Sequence, residues 1–212
     1  MTNAGLMTLV QWLSPAFPTG GFAFSHGMEQ VIHDGGIASG ADLAAWLADV
    51  LRFGAGKQDA ILLSASLELG ADHAALAALT VALQPSAERL RETADQGAAF
   101  ARAVSAVTGQ DRAAHPLPVA VGAAAQGLGL EKSQVIALYL HAFTSNLVSA
   151  AVRFVPLGQN EGQAALAALH PLIQSLADAA AGQGVEAIES AAFGADLAAM
   201  RHEAMDVRIF KT

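Results

Sequence analysis

The sequence contains no cysteine, which removes disulfides, thiolate metal ligands and cysteine nucleophiles from consideration. Charge is also scarce. Only 14% of the 212 residues are Asp, Glu, Lys or Arg, against about 25% in ordinary globular domains. Lys and Arg number 11 against 19 acids, for a formal net charge of −8, and they form no basic run. That balance argues against a general nucleic-acid binder, which needs clustered cations. No N-terminal stretch combines positive charge, an apolar run and a small-residue cleavage site, so a cytoplasmic location is expected. β-branched and aromatic residues do not alternate over useful lengths, so strands are not expected.

Catalytic signatures are missing as well. Gly54-Ala-Gly-Lys57 resembles part of a phosphate-binding loop, but no glycine precedes it at position 51 and Gln58 stands where a Ser or Thr should hold magnesium. Gly20-Gly21 is a turn and not a dinucleotide fingerprint, and no Gly-x-Ser-x-Gly elbow occurs. The Glu-x-x-His pairs of di-iron bundles and the His-Glu-x-x-His zinc motif are both absent. These gaps favour a binding or scaffold protein over an enzyme. The main alternative is a small helical metal-binding protein. His26, Glu29 and His33 would share one face of a helix capped by Ser25 and could hold a hard or borderline cation. A polar face beside a glycine turn fits the same spacing. His141 stands alone on an apolar helix, where a buried core histidine is expected.

What is present is helix. Apolar residues make up 53% of the chain and recur at helical period, and the punctuation is that of a bundle. The pattern predicts one compact all-α domain over residues 1–212, of about eight to ten helices, with 201–212 as a partner-binding tail. Expected helices span 2–13, 25–33, 39–53, 57–69, 72–83, 86–108, 119–126, 131–154, 159–181, 185–192 and 195–207. Ser39 and Ser86 are N-cap residues, and Pro171 would bend the helix that contains it. Ser133 to Val152 carries no Asp, Glu, Lys or Arg and is long enough to cross a bilayer. Its Gln134, Tyr139, His141, Thr144, Ser145, Asn146 and Ser149 favour a central buried helix, so no membrane partner is expected.

Two segments combine polarity with large apolar side chains: Ser14-Pro-Ala-Phe-Pro-Thr-Gly-Gly-Phe-Ala-Phe-Ser25 and Arg201-His-Glu-Ala-Met-Asp-Val-Arg-Ile-Phe-Lys-Thr212. Both read as surface intended for another protein. Ile209 and Phe210 suggest that something ties the chain end down.

The segment Leu13 to Glu29 resembles the Pro-x-Gly-Gly-aromatic-x-aromatic-Ser-x-Gly-Leu-Glu motif of the UreF family of urease accessory proteins. The resemblance continues in Arg89-Leu-Arg-Glu-Thr-Ala-Asp-Gln-Gly97 with Ala98-Ala-Phe100, in Thr144-Ser-Asn146, in Val155-Pro-Leu-Gly-Gln-Asn-Glu-Gly-Gln163, and in Arg201-His-Glu203 with Arg208-Ile-Phe210. It implies a non-enzymatic, dimeric, all-α scaffold. Such a scaffold would bridge UreD (UreH in some bacteria) and the GTPase UreG while nickel is delivered to the urease apoprotein. It implies no tightly bound cofactor, with nickel present only transiently. Arg201, His202, Glu203, Arg208, Ile209 and Phe210 would face UreD, and Glu29 and Arg153 would face UreG. The loop residues Phe17, Pro18, Gly20, Gly21, Phe22 and Phe24 would add contacts, and His26 and His33 are candidates for the nickel path. The chain departs from the family pattern at Asp206-Val207, where a tyrosine and a serine are usual, and at Arg153, where lysine is usual.

Overall fold

The computed structural model describes residues 3–212, which fold into ten α-helices and no strand. They are α1 (Asn3–Trp12), α2 (Met28–His33), α3 (Gly40–Phe53), α4 (Ala55–Ser66), α5 (His73–Ala82), α6 (Ala87–Thr108), α7 (Leu117–Ala125), α8 (Lys132–Phe154), α9 (Gln159–Ala180) and α10 (Phe193–His202). Thr2, the expected first residue of α1, lies outside the described residues.

Among the described residues, side-chain caps set four of the ten helix starts. The Ser39 hydroxyl accepts from the Asp42 amide, Asp72 from the Ala75 amide and Ser86 from the Arg89 amide, each satisfying an amide that has no partner within its helix. Glu131 and Gln134 form a reciprocal capping box at the start of α8. α8 packs chiefly on α9, and α9 also covers α3 and α4; α6 lies on α7, and α10 crosses α2 and α6. Leu9, Trp12, Phe17, Leu43, Leu47, Ile61, Phe100, Ile136, Leu140 and Leu147 are among the side chains of one shared core.

α8 is the one described helix long and apolar enough to cross a membrane, and half of its most apolar window is buried in the bundle. Thr144 is fully buried and bonds back to the Leu140 carbonyl. His141 departs from the expectation of a core histidine: it is half-buried at the surface, beside His170 of α9.

Three elements differ from the sequence-based expectation. The helix expected from Ser25 begins only at Met28, because His26 and Gly27 both take positive φ, 61° and 77°. Residues 185–192 form only a 3-10 turn, Val185–Ala187, before the chain extends to Phe193. The last helix stops at His202 rather than near Val207, because the chain turns there and runs back across the bundle.

Gly97 permits the α6–α7 contact. A Cβ added there would lie 1.9 Å from the His115 carbonyl oxygen, which is rigid backbone. Gly97→Ala should therefore cost at least about 2 kcal/mol in urea denaturation, typical of overpacking in a tight contact. Gly127→Ala, at a position with open space around it, should stay within about 0.5 kcal/mol.

Candidate partner-binding site

The last ten residues are not a loose end. α6 places Glu88 and Glu92 one turn apart on its buried face, and α2 places Glu29 opposite them. A buried carboxylate is costly unless donors surround it, and the returning tail supplies those donors. Glu29, 1% exposed, accepts the backbone amides of Ile209 at 2.8 Å and Phe210 at 2.9 Å. His202 Nε2 lies 3.1 Å from the same carboxylate, and His202 Nδ1 lies 2.7 Å from Glu88. Both ring nitrogens thus face carboxylate oxygens. Arg208 closes on the other Glu88 oxygen. Glu203 accepts the Glu88 backbone amide at 3.0 Å and caps the start of α6, where negative charge opposes the helix dipole.

The end of the chain pairs with the N-terminal loop. The Lys211 amide donates to the Ala23 carbonyl at 2.8 Å, and the Ser25 amide donates to the Thr212 carbonyl at 2.9 Å. The Thr212 hydroxyl donates to Glu92 at 2.8 Å and accepts the His26 amide at 3.2 Å. The side chains of the tail divide between the bundle and solvent. Arg208, Phe210 and Thr212 point inward, whereas Val207 and Ile209 are 78% and 70% exposed. Phe210 packs against Phe154, with ring centroids 6.3 Å apart, and under the Arg153 guanidinium, 5.3 Å from its ring. Arg153 Nη2 also donates to the Phe22 carbonyl at 2.9 Å, and Asn146 donates to the Gly21 carbonyl at 2.8 Å. Arg153 therefore joins the end of α8 to both the loop and the tail, beyond what a cation at a helix C-terminus would do.

The residues singled out from the sequence fall into two sets. Glu29, His202 and Phe210 are buried, Arg208 spans the boundary, and together they hold the tail in place. Arg201, Glu203, Ile209 and Arg153 lie at the surface. In the loop, Phe17 packs on Phe100 at 5.8 Å and Phe24 is 2% exposed, so only Phe22, at 67%, projects outward; Pro18 is exposed and Gly20 and Gly21 are half-buried. His26, Glu29 and His33 do not converge. His26 precedes the helix and its Nδ1 lies 3.6 Å from Glu92, while Glu29 is committed to the tail. Among the described residues no group of three or more His, Asp or Glu is arranged to hold a metal. The geometry therefore does not support the small metal-binding protein considered from the sequence.

Sequence reasoning missed Glu88, Glu92 and Thr212 as tail partners. It also missed Phe193, Leu197 and Met200, which are 77%, 47% and 47% exposed at i, i+4 and i+7 of α10. That spacing puts them on one helix face, and Val207 and Ile209 of the tail are exposed as well. The signal for the first set was the one-turn spacing of Glu88 and Glu92, and for the second the apolar period of 193–200.

Beneath the loop lies a cavity of about 90 Å³ whose lining includes Asp59, Arg89, Glu92, Gln96, Tyr139 and Asn146. The Tyr139 hydroxyl donates to Asp59 at 2.6 Å. Burial pushes the Asp59 carboxyl up to about 6, against the opposing Tyr139 hydrogen bond. Burial, then the Arg89 charge, lowers His26 to about 4. Burial would raise Glu92, but Arg89 and the His26 contact overcome it and hold that carboxyl at about 2.

These shifts give opposing pH effects. Between pH 4 and 6 the unfolded chain carries a proton on His26 that the folded chain lacks, so this group lowers stability as pH falls. Asp59 keeps in the folded state a proton that the unfolded chain has lost, so it lowers stability as pH rises through the same window. Each slope is at most about 1.4 kcal/mol per pH unit, and the two oppose each other. Asp59→Asn should remove one of them and leave stability rising with pH from 4 to 6 more steeply than in the parent chain, read by urea denaturation at each pH. An unchanged profile would contradict the assignment.

The sequence pattern of the UreF family matches residues 37–170. The chain is 63% identical over 210 residues to the urease accessory protein UreF of Cereibacter sphaeroides strain KD131, covering 99% of this chain and 100% of that protein. It is 52% identical to UreF of Paracoccus denitrificans, over 99% of this chain and 97% of the relative. With UreF of Jannaschia it shares 50% identity over 99% of this chain and 96% of the relative. The tail, its carboxylate anchors and the loop they secure are thus features of a chain that belongs to the UreF family of urease accessory proteins, which act in urease maturation.

Proposed function

We propose that this chain is a non-enzymatic, cytoplasmic scaffold that bridges UreD (or UreH) and the GTPase UreG while nickel is inserted into the urease apoprotein, and that it works as a homodimer. The observation that carries the reading is the exposed apolar face of α10, Phe193, Leu197 and Met200, together with exposed Val207 and Ile209 on a tail anchored from inside. Exposed apolar side chains gathered in one patch mark a protein contact more often than scattered ones do. An anchored tail also loses less conformational entropy on binding than a free one.

In this reading α10 and the tail face UreD. Ile209 makes direct contact, with Arg201 and Glu203 at the rim, while His202, Arg208 and Phe210 fix the tail's conformation. Arg153 and the exposed Phe22 form a second surface, assigned to UreG. Glu29 is buried under the tail, so its contribution to either partner passes through the tail it positions. Nickel would be passed on by open polar groups rather than held by a closed cage, which would release it too slowly.

Leu197→Asp and Ile209→Asp test the UreD surface. Each places a charge in an apolar contact and should weaken binding at least about 30-fold, the equivalent of about 2 kcal/mol at a contact hot spot. Co-purification and titration with UreD measure the loss, and circular dichroism should show unchanged helicity because both side chains are exposed in the free chain. Full UreD affinity in both variants would remove this surface from the proposal.

A further inference from the structure

The structure places two histidine rings side by side outside the partner-binding site. His141 is on α8 and His170 on α9, the two helices that pack most extensively on each other. Their ring centroids are 5.4 Å apart with the planes inclined at 44°. Among the described residues, neither ring is hydrogen-bonded to a protein group. From this juxtaposition we propose that His141 and His170 form a cross-helix chelate for a borderline divalent cation of the zinc and nickel class.

The distance is compatible with shared coordination. A ring nitrogen ligates such an ion at about 2.1 Å, and the ring centre lies about 1.2 Å behind the nitrogen. Two imidazoles on one ion at the tetrahedral angle therefore have centroids about 5.3 Å apart, and at a right angle about 4.6 Å. The observed 5.4 Å fits the four-coordinate arrangement with no helix movement. The other histidine pair fits less well. The His73 and His115 centroids are 6.0 Å apart, and His73 Nε2 already faces the Ser66 carbonyl at 3.0 Å.

The chemistry agrees with the geometry. A metal-binding imidazole must be unprotonated. Partial burial, then the neighbouring His170, lowers His141 from its ordinary value, which favours the neutral ring at neutral pH. The supporting frame is rigid. A Cβ on Gly162 would come 2.6 Å from Val152, so α9 lies tightly against α8 near their connection. Two protein ligands leave the other coordination positions to water, which makes the site open and exchangeable rather than structural. The inference does not depend on the bridging role proposed above.

The test uses the untagged full-length chain, freed of metal by a chelator, with nickel(II) chloride and zinc chloride titrated separately by calorimetry. One ion should bind per chain. His141→Ala and His170→Ala should each weaken binding at least about tenfold, while His73→Ala should leave it within about twofold. His170→Gln, a polar change at an exposed position, guards against loss of fold, and unfolding midpoints in chelator confirm that the variants remain intact. Absence of binding by either ion, or one-to-one binding that survives the His141 and His170 substitutions, would overturn the proposal.

Discussion

The Glu29 carboxylate is the interaction on which the rest of the site depends. It sits at 1% exposure in a low-charge bundle, where an unpaired anion would not be tolerated. Its donors come from residues about 180 positions later in the chain: two backbone amides and a histidine ring. The tail is therefore part of the folded structure and completes the burial of α2. Glu88 and Glu92 repeat the logic, the first with His202 and Arg208, the second with Arg89 and Thr212. Removing the tail would leave three buried carboxylates short of donors at once, a larger loss than its few apolar contacts suggest.

Anchoring from inside fixes what is presented outside. Arg208 is tied to Glu88, Phe210 is buried and Thr212 is bonded to Glu92, while Val207 and Ile209 face outward. The same anchor holds His202 at the end of α10, which sets the rotation of that helix and turns Phe193, Leu197 and Met200 away from the core. The chain end also pairs with residues 23–25, so the N-terminal loop and the C-terminal tail form one continuous structure, with Arg153 bonded to the first and stacked on the second. A change in the loop would be felt in the tail through ordinary contacts, with no separate relay.

Much of the bundle was legible in the sequence because its helices carry their own signals. Ser39 and Ser86 cap where expected, α5 and α8 begin next to the expected Asp72 and Glu131, and the long apolar periods of α6, α8 and α9 leave little choice of secondary structure. Two misjudged ends involve tertiary contacts that no local pattern encodes. Gly27 must approach the Ala199 backbone, where a Cβ would lie 2.7 Å from its nitrogen, so α2 starts late. α10 stops early because Glu29 and Glu88 draw the following residues back into the bundle. At the site, the important residue types were visible but not their facing. Glu29 and His202 read as surface groups because charge in a sequence suggests solvent, and only the three-dimensional return of the tail makes them partners. Thr212 carried no signal at all, because its role arises from ending beside Ser25, His26 and Glu92.

The most direct test is hydrogen exchange at the Ile209 and Phe210 amides, read by NMR in the full chain and in Glu29→Gln. If Glu29 holds the tail, both amides are protected in the parent chain, and exchange at least about tenfold faster in the variant, the equivalent of about 1.4 kcal/mol of lost hydrogen bonding. Amides in α3 and α9, remote from the site, should exchange at unchanged rates. Fast exchange of Ile209 and Phe210 in the parent chain, or equal protection in both proteins, would contradict the carboxylate anchor and with it the fixed apolar surface.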